Sequence, residues 1–420
     1  MGRRWLLIAA LGAVAVGAVA PGTATASMPL GTVVSTNPAN FTPNVASGAV
    51  YKFIQLNGVL YAGGSFNSVS TATGVSPGGT FTRHNLVAFN PTTGVITAFS
   101  PDIDGAVWAL ATDGTSLYVG GTFSSVNGVA RRGLAKLDPV TGAVDTAFNA
   151  RLTNAVKDAA MVNGRLIVSG SFTRKLAALD PRTGADSGYI NLGISGTVAS
   201  NAGPVEIYRI AVNPTGTRLV GVGNFTTVDG QPRWRAFMAT LGTTAATVNP
   251  WQYPPLQQRC DDPSPPDYLR DVDFSPDGTY FVIVSTGYVP LPGQIGTSLC
   301  DAAARFETTL SSPARPTWIN YTGGNTLHSV AVTDQAVYVQ GHQLWLDNPQ
   351  GKDSAGPGAV SRPGIGALDP ASGQALSWNP TKDRGVGGKD LYVTSQGLWV
   401  GSDTTHIGHE LHARIALLPL

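Results

Sequence analysis

Apolar residues fall in short runs that recur in a fixed order, each run closed by Gly, Pro, Asn or Asp. One stretch reads Leu117-Tyr118-Val119-Gly120-Gly121-Thr122-Phe123, then Arg131, Leu134-Ala135-Lys136-Leu137-Asp138-Pro139, Thr141-Gly142 and Phe148. The stretch before it reads Leu60-Tyr61-Ala62-Gly63-Gly64-Ser65-Phe66, Arg83, Leu86-Val87-Ala88-Phe89-Asn90-Pro91, Thr93-Gly94 and Phe99. The next reads Leu166-Ile167-Val168-Ser169-Gly170-Ser171-Phe172, Arg174, Leu176-Ala177-Ala178-Leu179-Asp180-Pro181 and Thr183-Gly184. Fainter copies run from Leu219 to Phe225, from Tyr280 to Gly287 and from Val337 to Gly341, and the last is Leu398-Trp399-Val400-Gly401. Each unit predicts four short strands, A to D. Strand A is an apolar segment such as Val107 to Thr112, strand B the Leu-Tyr-Val-Gly run, and strand C the Leu-Ala-x-Leu-Asp run. The Asp-Pro-x-Thr-Gly turn leads to strand D, with Pro presetting φ and Gly taking a positive φ.

The spacing from Gly64 to Gly121 is 57 residues and from Gly121 to Gly170 is 49. Such a period suits the blade of a propeller with long loops better than a helical repeat. Seven units begin near Val50, Asp104, Thr153, Ala202, Tyr268, Gly324 and Val386. The expectation is an all-β fold: a single seven-bladed β-propeller of four-stranded antiparallel blades. The seventh unit lacks a strand D, while Phe41-Thr42-Pro43 ahead of the first resembles the strand-D endings Phe99-Ser100-Pro101 and Trp378-Asn379-Pro380. The N-terminal segment is therefore expected to supply that strand and close the ring, which removes free sheet edges.

The repeats resemble the delta-60 repeat propellers of exported bacterial proteins. The tail, Leu398-Trp399-Val400-Gly401-Ser402-Asp403-Thr404 to Arg414-Ile415-Ala416, is similar to the closing blade of actinobacterial secreted members. The resemblance covers nearly all of the chain after residue 26 and is weakest in units four and five. It implies fold and export, and brings no established activity or catalytic motif.

Composition agrees with β structure: 51 Gly, 29 Pro and only 13% charged residues. A net charge of +1 gives no case for nucleic acid or an anionic membrane. Residues 1–26 read as a signal peptide. Arg3 and Arg4 precede an apolar run from Trp5 to Ala20, and Ala24-Thr25-Ala26 offers small residues for cleavage after Ala26. Arg3-Arg4-Trp5-Leu6-Leu7 faintly resembles a twin-arginine signal and is read as an ordinary one. No other segment is apolar enough to span a bilayer. Residues 27–420 are expected to form one secreted, extracellular, monomeric domain. In such a protein the two cysteines, Cys260 and Cys300, are expected to form a disulfide. In the propeller order Cys260 lies in the D–A loop and Cys300 in the B–C loop of blade five, on one face.

That face, the top, also collects the candidate chemistry. His84, His328, His342, His406, His409 and His412 map to blades six, seven and one, with Asp403 and Glu410. The spacing of His406, His409, Glu410 and His412 matches no zinc-protease motif, and no metal is expected. Aligning the starts of strand A gives a second set: Tyr51, Trp108, Lys157, Tyr208, Arg270, His328 and Lys389, one per blade around the channel mouth. The next positions are Lys52, Ala109, Asp158, Arg209, Asp271, Ser329 and Asp390. Aromatic faces with convergent charges suit a sugar or a small anion. The plain alternative is that Lys157/Asp158, Arg270/Asp271 and Lys389/Asp390 pair across neighbouring blades. An Arg precedes strand C in most units (Arg83, Arg131, Arg174, Arg233, Arg362), which points to architecture more than to a ligand. The longest loop, Gly341 to Pro363, carries His342, Gln343, Trp345, Asn348, Asp353 and Arg362, and Trp345 could equally plug the loop's own core.

The candidate ligand residues are thus Tyr51, Trp108, His328, His342, Trp345, Arg362, Lys389, His406, His409 and Glu410. No nucleophile elbow, phosphate loop or dinucleotide fingerprint is present, so no cofactor is expected. The leading expectation is a non-catalytic binding or scaffolding protein for an extracellular carbohydrate or protein. The alternative is a polysaccharide hydrolase or lyase on the same scaffold.

Overall fold

The computed structural model describes residues 28–198, 203–262, 264, 268–309 and 312–420. The signal-peptide reading lies outside them. Among the described residues the chain is all-β, with one 3-10 turn at Pro254–Gln257. No helix is long and apolar enough to cross a membrane.

Among the described residues twelve antiparallel sheets form, and seven of them, numbered units I to VII, recur along the chain. Their first strands are Ala49–Leu56, Val107–Thr112, Val156–Val162, Glu206–Val212, Leu269–Phe274, Leu327–Val332 and Asp390–Thr394. Each of these packs beside the next, and the first strand of unit VII packs beside that of unit I. Hydrogen-bonded ladders stay within a unit, so units meet through packed side chains and through single hydrogen bonds such as Val50 N to Ser402 O between units I and VII. The core is divided accordingly into seven clusters, each shared by two neighbouring units. One joins Phe53 and Phe89 of unit I to Trp399 and Leu417 of unit VII.

Local sequence explains the repeat. In unit II the Asp138 carboxylate accepts hydrogen bonds from the backbone N–H of Val140 and Thr141 and from the Thr141 hydroxyl, and Gly142 turns at φ 74°. Asp180 and Asp369 accept the corresponding two backbone N–H groups in units III and VI. The strand-B tyrosines tie units together: the Tyr61 hydroxyl donates to Pro139 O and that of Tyr118 to Pro181 O, each in the following unit. Before the third strand every unit has a residue with positive φ: Asn85, Gly133, Lys175, Arg235, Asp301, Gly364 and Arg414.

The expectation of four strands per unit is corrected in part. Units IV and V have four, ending in Ala246–Val248 and Trp318–Tyr321. In units I, II, III and VI the fourth strand is reduced to an isolated bridge, such as Phe89↔Ile96 or Leu137↔Val144. The tight Asp or Asn turn forces the return, and the chain then leaves for the next unit. The B–C connections of units I, II, IV, VI and VII fold into small outer hairpins of their own, such as Trp345–Leu346 with Val360–Ser361.

Residues 35–45 run along the last strand, Ile415–Pro419, but 35–43 do not form the expected fourth strand and unit VII keeps three, because only scattered backbone hydrogen bonds join the segment to that edge. Ser35 N donates to Pro419 O, Ala39 N to Leu417 O, the Thr42 hydroxyl to Ile415 O and Val45 N to Ala413 O. Leu30 and Val34 are buried in the cluster between units VI and VII. Cys260 and Cys300 form the expected disulfide, which joins two loops of unit V.

Candidate functional site

Six of the seven first strands carry a register shift at one and the same place. It falls between Val50 and Lys52, Val107 and Ala109, Val156 and Asp158, Ile207 and Arg209, Leu269 and Asp271, and Leu327 and Ser329. The extra residues are Tyr51, Trp108, Lys157, Tyr208, Arg270 and His328. In unit VII both Lys389 N and Asp390 face Gly401, giving Lys389 the same role. A bulge re-aims its extra side chain out of the pleat. All seven of these residues line one axial cavity of about 370 Å³.

Around the rim each side chain meets its neighbour. Tyr51 stacks on Trp108 with ring centroids 4.3 Å apart and planes within 1°. The Lys157 ammonium lies 4.4 Å from the Trp108 centroid. Two groups that close cannot share a face, so Trp108 is sandwiched. Glu206 is hydrogen-bonded to Tyr208, and Tyr208 packs against Tyr268 at 4.9 Å. Arg270 lies over the Tyr268 ring, donates to the Tyr268 hydroxyl, and donates from Nε to His328 Nδ1 at 3.0 Å. Lys389 stands 3.8 Å from Asp403. His328 is pushed well below the ordinary imidazole range, by burial first and by Arg270 and Lys389 next. It is therefore neutral. Its Nδ1 accepts from Arg270, and its other contact is the Val386 backbone. Burial lowers the Lys157 and Lys389 ammoniums and raises the Glu206 carboxyl.

Beneath the rim lies a layer of buried charge. The Arg209 guanidinium reaches the backbone carbonyls of Trp108, Lys157, Tyr51 and Lys389, in units II, III, I and VII, at 3.2–3.4 Å. The Lys52 ammonium pairs with Asp158 at 3.3 Å, and Arg209 Nε stands 3.8 Å from Asp271. The three carboxylates also accept from the next unit's backbone: Asp158 from Ile210 N, Asp271 from Val330 N and Asp390 from Phe53 N. Burial drives Asp271 up to about 6 against the pull of Arg209 and Lys52, and raises Asp390 as well. Burial alone would lower Lys52, but Asp158, Asp390 and Asp271 outweigh it and raise it. The rim cations Lys157, Arg270 and Lys389 are not ion-pair partners of these carboxylates, and Arg209 is the link between the two layers. Under this layer is a second cavity of about 280 Å³, lined by Lys52, Asp158, Asp271, Asp273 and Asp390 with apolar walls.

The remaining sequence candidates lie elsewhere. None of His342, Trp345, Arg362, His406, His409 and Glu410 lines the axial cavity. His342 Nδ1 contacts Gly385 O, and His406 contacts Asp383 at 3.0 Å. His409 turns at φ 66° toward Thr381, and Glu410 reaches His412 at 3.5 Å. Trp345 sits in its own two-residue outer hairpin strand. Among the described residues no three His, Cys, Asp or Glu side chains could hold a metal ion. Arg362 donates to Ser361 O and Leu376 O, as Arg83 does to Thr82 O and Thr97 O, and Arg233 to Pro232 O and Asn249 O. Arg362 is thus a tie across its own unit, from the third-strand approach to the returning chain.

Sequence reasoning missed Glu206 and Tyr268 as rim residues. Each lies two positions before its rim residue, where strand alternation returns to the same side. The equivalent positions elsewhere are small, such as Ala49, Ala106 and Ala155, so only units IV and V gain a side chain there.

A family model described as a domain of unknown function (DUF5122) β-propeller matches residues 116–148, which span the second and third strands of unit II and end at Phe148. No curated protein matches the chain. Among solved structures, the computationally designed Ika8 protein aligns with 92% of this chain and 100% of its own at 11% identity, with a TM-score of 0.47. That likeness is too weak to argue from.

Proposed function

We propose that the chain is an exported, monomeric, closed seven-bladed propeller of the delta-60 type that binds a small carbohydrate in its upper axial cavity without transforming it. The signal segment, the disulfide and the cyclic order of the seven units support the export and closure parts of this reading. The observation that carries the binding part is the recurring bulge, which aims one side chain per unit into a single cavity. Four aromatic rings and four cations line it, and apolar ring faces with convergent polar groups are what sugars require. A volume of about 370 Å³ stands near the lower end of small-molecule sites, enough for one or two sugar rings.

Binding is favoured over hydrolysis by what the cavity offers a bond-breaking step. Glycoside cleavage uses two carboxyl groups. Glu206 is the sole carboxyl among the described residues lining this cavity. A histidine–carboxylate pair needs a free imidazole nitrogen, whereas His328 is held by Arg270 and the Val386 backbone. A glycan array combined with a hydrolysis screen tests the reading. Retention of a glycan by the wild type, lost in Tyr51→Ala and Tyr208→Ala, is the expected result. Turnover of the retained glycan would make the protein an enzyme, and retention of none would leave a protein partner.

A further inference from the structure

We propose that the ligand is anionic, and that the axial cavity selects a sugar bearing a carboxylate, a hexuronate, over its neutral counterpart. This rests on the carbohydrate reading above and narrows it. Four cations, Lys157, Arg209, Arg270 and Lys389, line the cavity against one carboxyl, Glu206, although the whole chain carries a net charge of only +1. The excess is therefore local. Arg209 is matched, with Lys52, by Asp158, Asp271 and Asp390, and Lys389 has Asp403 3.8 Å away, so the excess rests on Lys157 and Arg270.

Lys157 is the centre of the argument. Among the described residues its ammonium has the Trp108 ring beside it and no hydrogen-bond or ion-pair partner, only the more distant pull of Glu206. Burial lowers it, with Arg209 and Arg270 adding to that pressure. A half-desolvated ammonium is costly until an anion reaches it. A carboxylate would relieve that cost, whereas a neutral hydroxyl would relieve little of it. Arg270 stands ready as the second cation. His328 and the Tyr268 hydroxyl engage its Nε and Nη1, and its Nη2 has no partner among the described residues. His328 can hold it only while neutral, and burial keeps it so. His328 is in this sense a positioning residue for the anion site.

The test is titration calorimetry with glucuronate, glucose and glucose 6-sulfate as probes, at low and high salt. Wild type is expected to bind glucuronate roughly tenfold or more tighter than glucose, the scale of one charge-assisted hydrogen bond. That preference should shrink as salt rises. Lys157→Met keeps the stem and removes the charge, and should sharply reduce the preference for glucuronate over glucose. Lys157→Arg should restore most of it, which separates lost charge from lost folding. Equal affinity for glucuronate and glucose, or a preference intact in Lys157→Met, overturns the anion proposal and leaves the carbohydrate reading standing. Sulfate preferred over carboxylate overturns the hexuronate assignment. Binding of no sugar, charged or neutral, by a folded protein overturns both.

Discussion

A single buried carboxyl shows how much the centre of the molecule depends on its neighbours. Asp271 is surrounded by Arg209, Lys52 and Asp390, and accepts the Val330 and Val272 N–H groups. Burial nonetheless wins and lifts it to about 6. An unfolded Asp releases its proton near about pH 4. Between about pH 4 and about pH 6 the folded chain thus holds a proton that the unfolded chain has lost. The contribution of this group is fully present below that window and is lost as pH rises through it. Asp271→Asn cannot titrate but keeps an acceptor for Val330. The expected outcome is that wild-type Tm minus variant Tm falls as pH is raised from about 4 to 7. A difference that grows instead would mean that Arg209 dominates over burial. A second prediction separates the axial cavity from the outer loops. His342 and Trp345 lie off the cavity, so the His342→Ala/Trp345→Ala double variant should bind the cavity ligand as wild type does. Loss of affinity in that variant, measured by calorimetry, would move the site to the long loop.

Element by element, the paired glycines of the second strands explain why the bulges can form. A Cβ on Gly121 would stand 2.0 Å from Ala106 O, and one on Gly64 2.0 Å from Ala49 O. The bulged first strand folds over exactly the space a side chain would need. Gly121→Ala should therefore cost about 1–3 kcal/mol or more, as overpacking does. Gly58 is a control of another kind. Its φ is 76°, but a Cβ there meets nothing, so Gly58→Ala should cost only about 1 kcal/mol for left-handed backbone. Chemical denaturation of the two variants checks the order, and a milder effect at Gly121 would contradict the bulge account. The same elements show what the sequence could disclose. The Asp-Pro-x-Thr-Gly turns and the rim positions were legible, because turn chemistry is local and unit alignment carries a position from one copy to the next. The bulge itself was not, since register depends on hydrogen bonding to a partner strand. The outer hairpins were equally hidden. His406 and His409 share a loop in sequence, yet one faces Asp383 and the other Thr381, because a two-residue pairing at His406–Ile407 and Glu410–Leu411 splits them. The fourth strand was over-read: its apolar residue predicts a strand, but a chain that must leave for the next unit keeps only one bridge.

At the scale of the whole molecule, the problem is how a chain with two ends makes a cyclic array. Seven interfaces of similar kind are stable only if the last is as good as the others. The interface of units VII and I has its own cluster, with Trp399 fully buried between Phe53 and Phe89. Across the axis, Asp390 of unit VII accepts the Phe53 N–H of unit I, the counterpart of the III–IV and V–VI links. At the outer edge, residues 35–45 cover the carbonyls of Ile415–Pro419 and anchor Leu30 and Val34. Removing residues 28–43 would expose Leu30 and Val34's partners and leave that strand as an open edge. Two buried aliphatic side chains at about 1.5–3 kcal/mol each are a large part of the ~5–15 kcal/mol by which a domain is stable. An open edge also invites pairing with another copy. The truncated chain is expected to lose its single cooperative transition by calorimetry and to self-associate by analytical ultracentrifugation. Adding a peptide of residues 28–46 in trans should restore the transition and reverse the self-association, because the missing segment needs no covalent link to cover that edge. A truncated chain whose sedimentation and Tm are unchanged would show instead that the segment is an accessory and that the VII–I contact is held by its core alone.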